Sequence, residues 1–210
     1  WWGVSLRLYG REEVNKAAYK VLEKAMNAIG PMSIKPTTWV KGQPLEYSGW
    51  TGTPITFPMQ NANWYGGRGG HIGFSPIIPQ NGSAALAQFQ RTYARYKEYG
   101  MDYQGSFAFG ERHLTNVNAM LFNKDDPAMM GRIDPFFRQL VADAKAVGYG
   151  EYRTHLDYMD LVAQSYDWNG GALLKLNETV KDALDPNGIL APGKSGIWPK
   201  GRGSRAGAAA

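Results

Sequence analysis

Apolar positions along this chain recur at two spacings, and each change of spacing marks an element. Residues 4–8 read as a strand, after which Val14, Ala18, Val21, Leu22, Ala25 and Ile29 recur at helical spacing until Gly30 and Pro31 stop the run. From residue 32 to residue 70 the period is lost among Pro, Gly, Trp and Tyr. Structureless loops of that length are uncommon unless they have a job, so this one is expected to line or cover something. Residues 71–78 form a short apolar strand, and Leu86, Phe89, Tyr93 and Tyr96 mark an amphipathic helix that begins after Asn81-Gly82-Ser83 and ends at Gly100. Tyr103, Gly105, Phe107 and Phe109 alternate, as do Val117, Ala119 and Leu121, which predicts two strands joined near Gly110-Glu111 and paired antiparallel. Asp126 suits an N-cap with Pro127 at the first helical position, and Met130, Ile133, Phe137, Leu140, Val141 and Ala144 make the buried stripe of the helix that runs to Gly148. The sum is an α+β fold, an antiparallel sheet with helices on one face.

Beyond Gly148 the pattern thins. Leu156, Met159, Ala163 and Tyr166 mark one short helix, and Leu173, Leu176, Val180 and Leu184 mark a second, which Asp185-Pro186-Asn187-Gly188 ends. Two helices and a Gly/Pro-rich ending are little for an independent domain, so they are expected to dock on protein that this chain lacks. No internal repeat is evident.

Composition narrows the classes. The 210 residues carry a formal charge of +5, yet Lys and Arg are mixed with Asp and Glu except in the stretch from Lys200 through Arg202 to Arg205, which reads as a solvated tail. That distribution, with no aromatic nucleic-acid motif, argues against nucleic acid as a partner. Cysteine is absent, which removes disulfides, a thiolate nucleophile and cysteine metal sites; no other metal-ligand spacing stands out either. No apolar stretch approaches the roughly 18 to 20 residues that span a bilayer, so a soluble, cytoplasmic chain without a membrane partner is expected. The start, Trp1-Trp2-Gly3-Val4, has neither leader nor methionine and reads as the interior of a longer polypeptide.

Two places stand out chemically. His71 follows Gly66-Gly67-Arg68-Gly69-Gly70 and opens a strand, whereas a phosphate-binding loop would open a helix. On a strand His71, Gly73 and Ser75 share a face, leaving a notch beside the imidazole. A buried, hydrogen-bonded histidine and a ligand-facing one are both open on this ground. Glu151, Tyr152 and Arg153 put a carboxylate, a phenol and a guanidinium in a row. Tyr152 and Arg153 can converge only on irregular backbone, and a surface pairing of Arg153 with Glu151 or Asp157 is the plain alternative.

At these residues the chain, over residues 1–199, resembles the vanillyl-alcohol oxidase and eugenol oxidase group of flavoproteins. Gly70-His71-Ile72-Gly73-Phe74-Ser75-Pro76 resembles the strand whose histidine is linked to the 8α-methyl of FAD. Gly150-Glu151-Tyr152-Arg153-Thr154-His155-Leu156 is similar to the phenolate-binding segment. The run from Leu184 to Pro199, which holds Asp185-Pro186-Asn187-Gly188-Ile189-Leu190-Ala191-Pro192-Gly193-Lys194, is similar to the group's ending, and a shorter form of it marks the wider flavin fold.

The resemblance implies a cap domain over residues 1–147, the C-terminal helical segment of a p-cresol-methylhydroxylase-type FAD-binding domain over 148–199, and a flexible tail over 200–210. It implies FAD attached through His71, with Arg153 and Lys194 also at the cofactor and Tyr152 and Arg153 as catalytic residues. Substrate contacts would come from Tyr152, Arg153, Gly73, Ser75, Ser106 and Ala108. The implied reaction takes hydride from the benzylic carbon of a para-substituted phenol, gives a p-quinone methide, and returns electrons to dioxygen as hydrogen peroxide. The implied partners are the phenol, dioxygen, the N-terminal FAD-binding half of the same protein, and further copies in a homo-oligomer. A p-cresol-methylhydroxylase-like dehydrogenase, with a cytochrome acceptor and a tyrosine-linked flavin, is the nearest rival. An RNA- or protein-binding α+β module is the rival from another class.

Overall fold

The computed structural model describes residues 3, 4, 6–36, 38 and 61–201, and its contacts divide the chain into two compact units, Trp1–Met59 and Gln60–Ala210. In the first unit the expected helix is present as α1, Glu12–Ile29, with Glu12 and Glu13 at its N-terminus, where the helix dipole favours acidic side chains. The expected strand over residues 4–8 is not found among the described residues: Val4 and Leu6 are 70% and 55% exposed. Apolar composition alone does not make a strand, which needs a ladder partner for its N–H and C=O groups. Most of the expected loop, residue 37 and residues 39–60, lies outside the described residues, as does the tail over 202–210.

The second unit is built on a five-stranded sheet. Its strands are β1 (Gly69–Phe74), β2 (Pro76–Ile78), β3 (Gly105–Phe109), β4 (Leu114–Asn123) and β5 (Gly150–Glu151). Strand β4 is central, because Asn118 pairs with Phe74 of β1 and also with Gly105 of β3, which places those strands on its two edges. The apolar run at 71–78 is thus two strands broken at Ser75, with β2 continuing along β4 and carrying β5 on its outer side.

Helices α2 (Gly82–Glu98) and α3 (Pro127–Ala146) cover one face. Asp126 caps α3, accepting from the N–H groups of Ala128 and Met129, and Asn81 caps α2 by accepting from Ala84. Ile72, Phe74, Met120 and Phe122 of the sheet share one core with Met129, Ile133, Phe136, Phe137 and Leu140 of α3. Two expected stripes shift. Met130 is 42% exposed, and Met129, four residues before Ile133, takes its place. On α2 the buried positions are Gln88, Thr92 and Tyr96, whereas Leu86 and Tyr93 are exposed. Gln88 and Thr92 tolerate burial because the Gln88 amide donates to the Thr92 hydroxyl at 2.9 Å.

The remaining helices are α4 (Met159–Ser165), preceded by a 3-10 turn over Leu156–Tyr158, and α5 (Trp168–Leu184). Tyr158 stacks on Phe137 at 4.2 Å between ring centroids and, with Val162, joins the main core. No residue of α5 is buried; Leu173, Leu176, Val180 and Leu184 are all exposed.

Candidate functional site

The glycines before His71 serve the protein's own packing. A Cβ at Gly69 would meet the Ala62 carbonyl, and one at Gly70 would meet the Phe122 ring. Arg68 anchors the turn through its N–H and its Nε, which donate to Asp125 at 2.9 and 2.7 Å. The chain then enters β1 with His71 paired to Leu121 and Gly73 paired to Ala119. Directly opposed residues share a face, and alternation along β4 puts Thr115, Val117, Ala119 and Leu121 on the face away from the helices. Ser106 pairs with Val117 and Ala108 with Thr115, so His71, Gly73, Ser106 and Ala108 all stand on that one face. His71 is exposed, which removes the buried-histidine reading for this chain. Beside it a Cβ at Gly73 would meet only the Asn118 carbonyl oxygen, at 3.9 Å, so there is open space next to the imidazole; Ser75, expected on the same face, is instead 1% exposed, because the strand breaks there.

A second cluster surrounds a cavity of about 260 Å³ lined by Glu151, Tyr152, Arg153, Tyr166, Lys194 and Ser195, among others. Strand β5 ends at Glu151, and the bend that follows supplies the irregular backbone that neighbouring side chains need to converge. The Arg153 guanidinium lies 5.7 Å from the centre of the Tyr152 ring. Lys194 reaches the cavity because its turn, Lys194–Gly196, is clamped to α4. The Trp198 indole N–H donates to Asp160 at 2.7 Å, the Ser195 N–H lies 3.2 Å from the Met159 sulfur, and Gly196, at φ +73°, fits against Ala163. The preceding turn is fixed by Asp185, whose carboxylate accepts from Ile189 N–H at 3.0 Å, Leu190 N–H at 2.9 Å and Lys181 Nζ at 2.6 Å. Those donors, Lys181 first, hold the Asp185 carboxyl down to about 2. The closing sequence run therefore has a mechanical role, placing Lys194.

Ser75 is the seam between the clusters. It is 1% exposed, its N–H donates to a Glu151 carboxylate oxygen, and its carbonyl accepts from Tyr152 N–H at 3.4 Å. Glu151 is 3% exposed, and burial pushes its carboxyl up to about 8 against the opposing pull of the Ser75 and Arg153 amides and the Arg153 charge. From the sequence Glu151 reads only as a surface partner for Arg153. A two-residue strand leaves no periodicity from which its inward orientation could be read.

The sequence matches the family described as FAD linked oxidases, C-terminal domain, over residues 9–195. It is 32% identical over 199 residues to the flavoprotein subunit of 4-cresol dehydrogenase (hydroxylating) from Pseudomonas putida, covering 93% of this chain and 37% of that protein. The structure is similar to p-cresol methylhydroxylase with substrate bound, with a TM-score of 0.78 and 32% identity over 91% of this chain and 37% of the other. It is also similar to a 4-ethylphenol oxidase from Gulosibacter chungangensis in an isoeugenol complex, with a TM-score of 0.60 and 37% identity over 62% of this chain and 25% of the other. The chain thus spans little more than a third of the length of its curated relative.

Proposed function

Because the chain belongs to the family of FAD linked oxidases and carries its C-terminal domain, we propose that it is the C-terminal portion of a flavin-dependent oxidase of para-substituted phenols. The observation that carries this reading is the meeting of Tyr152, Arg153 and Lys194 around one cavity whose seam runs to the strand bearing His71. On this reading residues 1–147 form most of the cap over the substrate, 148–199 complete the FAD-binding domain, and the exposed apolar positions of α5 are covered by the N-terminal half of the same protein.

His71 suits a covalent flavin link: its imidazole is exposed, and Gly73 leaves space on the same face. The flavin, when bound, supplies the hydride acceptor. What the chain supplies is charge and orientation. A free phenol ionises near pH 10, and the anion gives up a benzylic hydride far more readily than the neutral ring. Arg153 and the Tyr152 hydroxyl stabilise the phenolate and hold the ring, Lys194 adds positive charge across the cavity, and Gly73, Ser106 and Ala108 leave room for the para substituent, whereas the buried Ser75 acts through its backbone. Loss of hydride leaves a p-quinone methide that water can attack.

Two relatives point to different electron acceptors. The 4-ethylphenol oxidase has the higher identity, and a histidine at position 71 suits the oxidase group. The 4-cresol dehydrogenase covers more of the chain and favours the second reading, a dehydrogenase that passes electrons to a cytochrome. Turnover of 4-ethylphenol or vanillyl alcohol by the complete protein in air separates them. The oxidase reading expects hydrogen peroxide in step with substrate loss; turnover only with an added electron acceptor would establish the dehydrogenase. No turnover of any para-substituted phenol would overturn both.

A further inference from the structure

Glu151 has no part in the chemistry just described, yet it is a buried carboxyl at the cavity. One carboxylate oxygen accepts the Ser75 N–H, and the other has no hydrogen-bond partner among the described residues. The Tyr166 hydroxyl at the end of α4 donates to the Glu151 carbonyl at 2.8 Å, and the Tyr166 ring packs on Gly150. Strand β5 is only two residues long, so its own ladder with β2 is a weak anchor. The Glu151 side chain and the Tyr152 N–H together tie the bend that presents Tyr152 and Arg153 to the backbone of Ser75, four residues beyond His71.

We propose that Glu151 is a positioning residue for the phenol: its buried carboxyl holds the Tyr152–Arg153 bend against the strand that carries His71. It does so uncharged. A carboxyl this deeply buried favours its neutral form, and its rise to about 8, driven by burial, accords with that. The charged and titratable groups around it are Arg153 and Tyr152 on its own segment, Tyr166 from α4 and Lys194 across the cavity; the β1–β2 break offers only the Ser75 backbone. While Glu151 is neutral, the charge of Arg153 is left for the phenolate; once ionised, it competes for it.

The inference rests on the proposed phenol site, and binding separates the two. The complete flavin-loaded protein is titrated with isoeugenol, followed by flavin absorbance, between about pH 6 and about pH 10. Comparing variants cancels the ionisation of the ligand itself. Glu151→Gln keeps an acceptor for Ser75 and cannot ionise; it is expected to bind like the parent near neutrality and to lose the weakening that the parent shows as the pH passes about 8. Glu151→Leu removes the acceptor and is expected to bind about tenfold more weakly across the range. A parent that binds, with Glu151→Leu within about twofold of it or Glu151→Gln following the same pH profile, overturns the role of Glu151 alone. Tenfold or greater loss in Glu151→Gln at neutral pH would also overturn it, since a charge would then be required. If Glu151→Leu does not fold, the Glu151→Gln profile decides. A parent that does not bind overturns the phenol reading and this inference with it.

Discussion

The two faces of the sheet are made by the same strands and differ in almost everything else. Toward the helices stand Ile72, Phe74, Met120 and Phe122, closed over by α3 so that Phe74 and Met120 are 1% and 0% exposed. Toward the other side stand His71, Gly73, Ser106 and Ala108 beside Val117, Ala119 and Leu121 of β4, with open space at Gly73. A structural face fills its volume, because close packing holds the layer together. A face meant for a ligand keeps its volume open and puts its few polar groups where the ligand will come.

That contrast can be broken from either side. The largest effect belongs to the filled face: Phe137→Ala, at 0% exposure and stacked on Tyr158, is expected to cost about 3 to 5 kcal/mol, read as a lowered denaturation midpoint of the complete protein. At the cavity, Arg153→Met removes a charged partner of the proposed phenolate, and phenol affinity should fall about 10- to 100-fold with little change in thermal stability. On the open face Gly73→Val is expected to be tolerated by the fold while weakening binding of phenols with bulky para substituents about tenfold relative to 4-methylphenol. Equal weakening for both phenols would mean that Gly73 does not shape the pocket. The smallest effect is at a distance from both faces: Asp126→Ala loses the cap of α3 and about 1 kcal/mol, with phenol affinity unchanged.

The elements of the filled face were largely legible in the sequence: alternation at residues 103–109 and 117–121 locates two strands, and the cap at Asp126 and the helical period through Ile133, Phe137 and Leu140 follow from local geometry. Which side of β4 is filled was not, since the alternating Val117, Ala119 and Leu121 stand away from the helices and Met120 and Phe122 enter the core. Misreadings came where tertiary contacts decide. Residues 4–8 have strand composition, but the described ones among them form no strand. Gln88 and Thr92 displaced Leu86 from the buried face of α2 because they satisfy each other. The site was legible as far as a single strand carries it, since His71 and Gly73 are two residues apart on β1. That Ser106 and Ala108 join them depends on register with β4, and Glu151 on a contact 76 residues away in sequence, which no local period encodes.

Whether the open face holds a flavin at His71 is read by denaturing and digesting the complete protein and weighing the peptide that contains His71. That peptide is expected to carry the added mass of FAD. Flavin released on denaturation, or found on another residue, would contradict it.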